Sequence, residues 1–365
     1  MTVTVEAMAA LLDDDGVTEI LVDGPDRVYV ERKGKLEDID VRFAGEQQVV
    51  DWANSLLTAH GWETAEKGRP WVEARLRDGS RMLVVVPPVA VSGPSVVIRK
   101  FFRQTPTFDQ LLQWGCISQS ILDFLKVVMQ ARLDVIVAGG TSTGKTTLTN
   151  RVVELTPEEE RLVVVEWANE LNIRHERLVY LEAQAASHSA ALGAGVSSDV
   201  GVDVSELLRV AARMRPDRII VGELMGGEVI EMLRLMKTGH EGMVATIHAD
   251  SPRDVLTRLE TMATIAEPSL TLPVIRGQIA AAIDLIVHIG RLEDGSRRVL
   301  SVVEVQDLKG DHILLQELFT WEKTGMGEDG RLTGVFGATG AKPSFAPALA
   351  VAGLTFPDGM FERET

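Results

Sequence analysis

DVIVAGGTSTGKTT, Asp134–Thr147, is the stretch whose reading decides the fold. Val135-Ile136-Val137-Ala138 is a continuous apolar run of the length of a buried strand. It leads into Gly139-Gly140-Thr141-Ser142-Thr143-Gly144-Lys145-Thr146, which fits the spacing G-x-x-x-x-G-K-[ST]. Thr147 to Val153 can continue as a helix. Strand, glycine loop and helix, in that order, are the context this spacing needs in order to mean phosphate binding. Glycines let backbone N–H groups close around phosphate oxygens without Cβ clashes, and the helix start adds partial positive charge. Lys145 is placed to reach the β- and γ-phosphates, Thr146 to hold Mg²⁺, and Thr147 to complete the phosphate-binding set. ATP and Mg²⁺ are the ligands this implies.

Working outward, the 365 residues are enough for two domains with a substantial core. The composition, 45% hydrophobic and 25% charged, is that of a globular protein. The net charge of −16 speaks against broad nucleic-acid binding, which needs a basic footprint, and suits basic partners such as the cytoplasmic loops of membrane proteins. The single cysteine, Cys116, excludes an internal disulfide and a cysteine-based metal site. The start of the chain does not read as a signal peptide, and no apolar run is long enough to span a bilayer. The expectation is a cytoplasmic protein that works, if at a membrane, from its inner face.

Along the chain, residues 1–101 read as an α+β domain. Val5–Leu12 is a short helix, Thr18–Val22 and Arg27–Arg32 are strands, Gly45–His60 is a helix, and Val72–Leu76 with Arg81–Val86 forms a hairpin before a strand at Ser95–Arg99. Residues 102–116 read as a linker that starts a helical turn at Phe108. From Ile117 to the end, strands at Arg161–Glu166, Arg218–Glu223 and Gly242–His248 alternate with helices. That pattern gives an α/β fold with a parallel-sheet core and helices on both faces. Gln184–Val202 is small, polar and glycine-rich and reads as a mobile loop. After Val287 the tail reads as β-hairpins, Arg298–Leu308 and Asp311–Trp321, with turns from Gly325 to Gly330.

A phosphate loop alone does not hydrolyse ATP; a water must be oriented as well. Glu223 ends a buried apolar strand, where a carboxylate is costly unless it is paired or at work. In such sheets ligands sit at the carboxyl ends of strands, so Glu223 is the candidate to orient or deprotonate the attacking water. Glu166 and Glu170 follow another strand and are candidates to support Mg²⁺ or its waters, against the alternative of a solvated face. His248 also falls at a strand end and is a candidate contact of a phosphate or the water. The cluster from Arg213 to Arg218 bridges subunits or pairs with local acids.

These motifs together resemble the type II/IV secretion ATPases, most closely the branch that drives tight-adherence (Flp-type) pilus assembly. The resemblance rests on GGTSTGKTT at 139–147, VVVEWANEL at 163–171, RMRPDRIIVGE at 213–223 and TGHEGMVATIHADSPRDVLTRLETM at 238–262. VTEILVDGPDRVYVERKGKLE at 17–37, VEARLRDGSRM at 72–82 and VSGPSVVIRKF at 91–101 extend it over nearly the whole chain. It implies a RecA-like P-loop NTPase domain over 117–365 behind a smaller N-terminal domain, and a homohexameric ring. By the same resemblance Lys145 and Thr146 form the Walker A site and Glu223 lies on the Walker B strand. Glu166 and Glu170 belong to an Asp/Glu box, His240 and His248 to a His box, and Arg81 and Arg99 bring positive charge to the phosphates.

The chain departs from the family pattern at Trp167, where an Asp is usual, and at Met225, where an Arg is usual. The function implied is a motor that powers pilus assembly or secretion with an inner-membrane platform protein as partner and no nucleic acid. A conjugation-type secretion ATPase is an alternative within the same family. A nucleotide-binding ring scaffold with little turnover and a nucleic-acid motor are alternatives outside it.

Overall fold

The computed structural model describes residues 5–32, 35–100, 106–168, 170–184, 201–327 and 330–363. The chain divides near residue 104 into two compact units.

The first unit contains α1 (Val5–Asp13), β1 (Glu19–Asp23), β2 (Val28–Arg32), β3 (Lys35–Asp38), α2 (Glu46–Ala59), β4 (Trp71–Arg75), β5 (Arg81–Val85) and β6 (Ser95–Arg99). Its strands form an antiparallel sheet in the order β3-β2-β1-β6-β5-β4. Alternate residues such as Ile20, Val22, Met82, Val84, Val96 and Ile98 point to one face. There they share a core with Met8 of α1 and with Val49, Trp52 and Leu57 of α2. The period-2 alternation of the sequence thus becomes a sheet with one buried face. The strand β3 is an addition to the sequence reading, which assigned a turn at residues 33–35; residues 33 and 34 lie outside the described residues.

The second unit begins with α3 (Phe108–Gln113), started by a capping box between Thr107 and Gln110. This is the helical turn that the sequence places at Phe108, within the segment 102–116. Residues 101–105 lie outside the described residues, but Leu111 and Cys116 are buried in the core of the second unit, so the segment from Phe108 onward is packed structure. Next come α4 (Gln119–Gln130), β7 (Val135–Gly139), α5 (Lys145–Val153), β8 (Leu162–Glu166), β9 (Leu178–Glu182) and α6 (Val204–Ala212). They are followed by β10 (Arg218–Leu224), α7 (Glu228–Met236), β11 (Val244–His248), α8 (Pro252–Ala266) and α9 (Leu272–Ala282). The unit ends with β12 (Leu285–Arg291), β13 (Arg297–Lys309), β14 (His312–Met326), β15 (Leu332–Ala338) and α10 (Ala346–Val351).

All its strands form one sheet in the order β15-β14-β13-β12-β7-β11-β10-β8-β9. From β12 to β9 every neighbouring pair is parallel, while β13 to β15 add antiparallel hairpins at the other edge. Two cores cover the two faces. Ile136, Ala138, Val163, Val165, Ile219 and Val221 pack with α6 to α9, while Val135, Val137, Leu162, Val164 and Ile220 pack with α3 to α5. A strand covered on both faces is apolar throughout, which is why β7 and β8 are unbroken apolar runs. The first core lies under the helices that follow β10 and β11, and the second under the helix that follows β7. The sides switch between β7 and β11, and in such sheets the crevice at a switch point receives the ligand.

The sequence reading missed β9, α9, β15 and α10. The edge strand β9 is only half-buried along its whole length, and α9 contains a proline and a glycine that read as breakers. The turns expected from Gly325 to Gly330 start two residues later: β14 runs to Met326, and the N–H of Gly327 donates to the Arg331 carbonyl at 2.8 Å where the chain turns into β15. Most of the expected mobile loop, residues 185–200, lies outside the described residues; its ends, Gln184 and Val202, exchange two backbone hydrogen bonds of 2.9 Å.

Candidate active site at the strand ends

The glycine loop follows β7 and turns into α5 at Gly144, which is left-handed with φ 97°. No side chain is accommodated at Gly139: a Cβ there would lie 2.3 Å from the Ile289 carbonyl oxygen and 2.6 Å from Thr143 Oγ1. The Gly140 carbonyl is the hub of the loop. It accepts hydrogen bonds from Thr143 Oγ1 at 2.9 Å and from Lys145 Nζ at 2.8 Å. Thr141 and Ser142 are exposed, and Thr146 and Thr147 are half-buried in the first turn of α5. The backbone N–H groups of that turn have no partner within the helix, so the loop and helix start form a ready cradle for an anion.

Lys145 is buried, and burial lowers its proton affinity while the carboxylates of Glu223 and Glu170 raise it. Its ammonium lies 3.1 Å from His248 Nδ1. With Nδ1 facing a donor, the neutral imidazole carries its proton on Nε2. That nitrogen lies 2.7 Å from Glu223 Oε1, a close contact without hydrogen-bond alignment. Lys145 at the start of α5, His248 at the end of β11 and Glu223 at the end of β10 therefore form one chain across three neighbouring elements. The Thr246 hydroxyl, which donates to the Gly222 carbonyl, ties β11 to β10 beside it. The structure brings together Lys145, His248 and Glu223, and Glu170 is held nearby through Glu166, whose side chain lies over Gly222.

Glu166 has a different surrounding from the one expected of a metal ligand. It is 3% exposed, and its Oε1 accepts from the backbone N–H groups of Glu170 and Leu171, both at 3.1 Å. Its side chain lies over Gly222, where an added Cβ would stand 2.5 Å from Glu166 Cγ. Burial first, with the nearby charges of Glu170 and Glu182, pushes its carboxyl up to about 8. Glu166 acts here as a clamp on the segment after β8. Arg81 and Arg99 lie in the first unit as cross-strand neighbours on the sheet face opposite its core, and Arg99 pairs with Glu19 at 3.4 Å. Met225 is exposed, with its N–H accepted by the buried Glu228 carboxylate, and Trp167 is 39% exposed.

Two residues were missed or misplaced by sequence reasoning. Arg297, at the start of β13, donates from Nε to the Ser142 carbonyl at 3.0 Å and braces the glycine loop from outside. The only signal was an arginine pair after the Gly295 turn. Arg218, in the cluster offered as a subunit bridge or as a partner of local acids, takes the second role and is fully buried. It pairs with Glu160 at 2.5 Å and donates to the carbonyls of Gly242 and Met129, so it holds the amino ends of the strands together.

The fold and site together define a nucleotide-binding α/β protein of the P-loop class. The family model for type II/IV secretion system proteins matches residues 4–333, and the chain belongs to that family. A Mycobacterium tuberculosis protein, provisionally named a conjugal transfer protein, is 34% identical over 326 residues, 87% of this chain and 89% of that one. The conjugal transfer protein TrbB of Rhizobium radiobacter is 29% identical over 313 residues, 84% of this chain and 89% of that one. The solved structure of the ATPase DotB from Legionella pneumophila is similar in fold, with a TM-score of 0.56 and 18% identity over 82% of this chain and 80% of that one. The two sequence relatives are named for conjugal transfer, not for the tight-adherence pilus assembly expected from the motifs.

Proposed function

We propose that this chain is an ATP-hydrolysing motor of a conjugation-type (type IV) secretion machine. The observation that carries the hydrolytic reading is the Lys145–His248–Glu223 chain at the glycine loop. The conjugal transfer names of the relatives favour this machine over tight-adherence pilus assembly, which stays as the second reading on the motif resemblance.

The β- and γ-phosphates lie against the loop and the first turn of α5, where they draw Lys145 away from the Gly140 carbonyl. A water beside Glu223 gives up its proton to that carboxylate as its oxygen bonds to the γ-phosphorus. The bond from that phosphorus to the bridging oxygen breaks, and the charge left on ADP falls to Lys145 and the helix start. His248 lies between Lys145 and Glu223 and senses both. Magnesium fits this site. Among the described residues no group of three or more His, Cys, Asp or Glu is clustered to hold a metal unaided, whereas Mg²⁺ takes most ligands from water and phosphate. Thr146 would supply the hydroxyl ligand, with Glu170 and Oε2 of Glu166, which has no partner among the described residues, as neighbours; the ion would neutralise phosphate charge.

A homohexameric ring, a cytoplasmic location at the inner membrane face, an inner-membrane platform partner, and Arg81 and Arg99 as phosphate contacts complete the reading. No helix among the described residues is long and apolar enough to cross a membrane. The test is Mg²⁺-dependent ATP turnover at several protein concentrations, beside Lys145→Ala and Glu223→Gln. Turnover per subunit that rises with concentration and disappears in both variants supports the motor. Tight ATP binding without turnover in the unaltered protein refutes hydrolysis by the isolated chain and leaves the scaffold reading. Disruption of the gene followed by plasmid-transfer and pilus assays separates the two machines.

A further inference from the structure

Five consecutive backbone N–H groups, from Glu170 to Arg174, are each received by a side chain. Glu170 and Leu171 donate to Glu166 Oε1, both at 3.1 Å. Asn172 donates to Asn150 Oδ1 at 2.9 Å, Ile173 to the Tyr180 hydroxyl at 2.9 Å, and Arg174 to Glu154 Oε1 at 3.2 Å. The acceptors come from three elements: the end of β8, the helix α5 with its C-cap, and β9. Segment 170–174 is neither helix nor strand, so these side chains take the place of a backbone ladder. Asn150 is 1% exposed, and Arg151, also buried, pairs with Glu154 at 2.5 Å. The segment is therefore fastened to the same helix that begins with Lys145. The segment's first two N–H groups are held by Glu166, whose side chain lies over Gly222, the neighbour of Glu223.

We propose that Asn150, Glu154 and Tyr180 are positioning residues that hold segment 170–174 so that Glu170 stays at the end of β8, beside the strand end that carries Glu223, through turnover. None of the three touches the reacting atoms; each acts through the backbone of the segment. The proposal rests on the hydrolytic reading above, and its test separates the two.

The variants are Tyr180→Phe, which removes one hydroxyl, and Asn150→Leu, which removes one acceptor and keeps the branched four-atom shape. Asn150→Asp retains the acceptor. Each is made in the full chain and again on Glu170→Gln. ATP turnover is read beside the affinity for a fluorescent ATP analogue and amide hydrogen exchange over 170–174. Expected are a roughly tenfold lower kcat in Tyr180→Phe and Asn150→Leu, analogue affinity within about twofold, and recovery of most of the rate in Asn150→Asp. On Glu170→Gln neither change lowers kcat further, because residues acting through one group are not additive.

Wild-type kcat in both variants overturns the proposal, and so does a loss that multiplies on Glu170→Gln. Exchange over 170–174 does not depend on hydrolysis. It should speed up about tenfold or more in both variants, and unchanged protection overturns the proposal even in a protein that binds ATP without turning it over. Absence of turnover in the unaltered protein, by contrast, overturns the hydrolytic reading and leaves the exchange result to decide the clamp.

Discussion

Glu166→Gln tests the electrostatics of the clamp under the active site. The carboxyl is buried, takes two backbone N–H groups on Oε1 and has no partner for Oε2 among the described residues. Burial moves it from an ordinary 4.5 to about 8. The folded state thus binds this proton more tightly than the unfolded state. The stability it contributes is fully present below about pH 4.5, declines as pH rises, and is gone above about pH 8. At about 1.4 kcal/mol per pKa unit, the decline is on the order of 3–5 kcal/mol.

Glutamine keeps the acceptor and has no proton to lose. Its amide NH₂, placed where Oε2 has no partner among the described residues, costs about 1–3 kcal/mol, but equally at every pH. Urea denaturation between pH 5 and pH 9 separates the two effects. The variant should be less stable at pH 5 and equal or superior at pH 9, a relative change of roughly 3–5 kcal/mol. Asp134, also raised to about 8 by burial, adds a similar slope to both proteins and cancels in the comparison. Parallel stability curves for wild type and variant would refute the reasoning, since they would mean that Glu166 ionises alike in the folded and unfolded chain.

Arg218→Met leaves the Gly242 and Met129 carbonyls without their donor and Glu160 with Arg132 alone, at 3.2 Å, and should cost about 3–5 kcal/mol in urea denaturation, whereas a surface pair would cost less than about 1 kcal/mol. Arg297→Ala removes one brace on the glycine loop; a roughly threefold to tenfold weaker affinity for an ATP analogue with little change in thermal midpoint is expected, and unchanged affinity would show that the loop stands without it. Gly139→Ala forces a methyl group onto the Ile289 carbonyl, so nucleotide affinity and thermal midpoint should both fall; retention of either contradicts the packing described here.

Several features were legible in the sequence because they are local. The apolar run at 135–138, the glycine spacing and the cap residues act over a few residues, and β7, α5 and the placement of Lys145 followed from them. The strand ends carrying Glu223 and His248 were legible for the same reason, as apolar runs that end in a polar residue. By itself the sequence determined the α/β class, the phosphate loop and the set of acidic and histidine candidates.

Only the tertiary structure decided what those candidates do. Whether a carboxylate is a ligand or a clamp depends on which backbone N–H groups fold back toward it, and Glu166 receives two of them from residues four and five places on. Whether an arginine lies at the surface or in the core depends on strand order, which set Arg218 against Glu160, 58 residues away, at the amino ends of the sheet. Arg297 meets Ser142 across 155 residues because β12 pairs beside β7 and the chain then turns back over the loop. Burial, charge pairing and hydrogen bonding at such separations are properties of the packed chain, and no periodicity along the sequence encodes them.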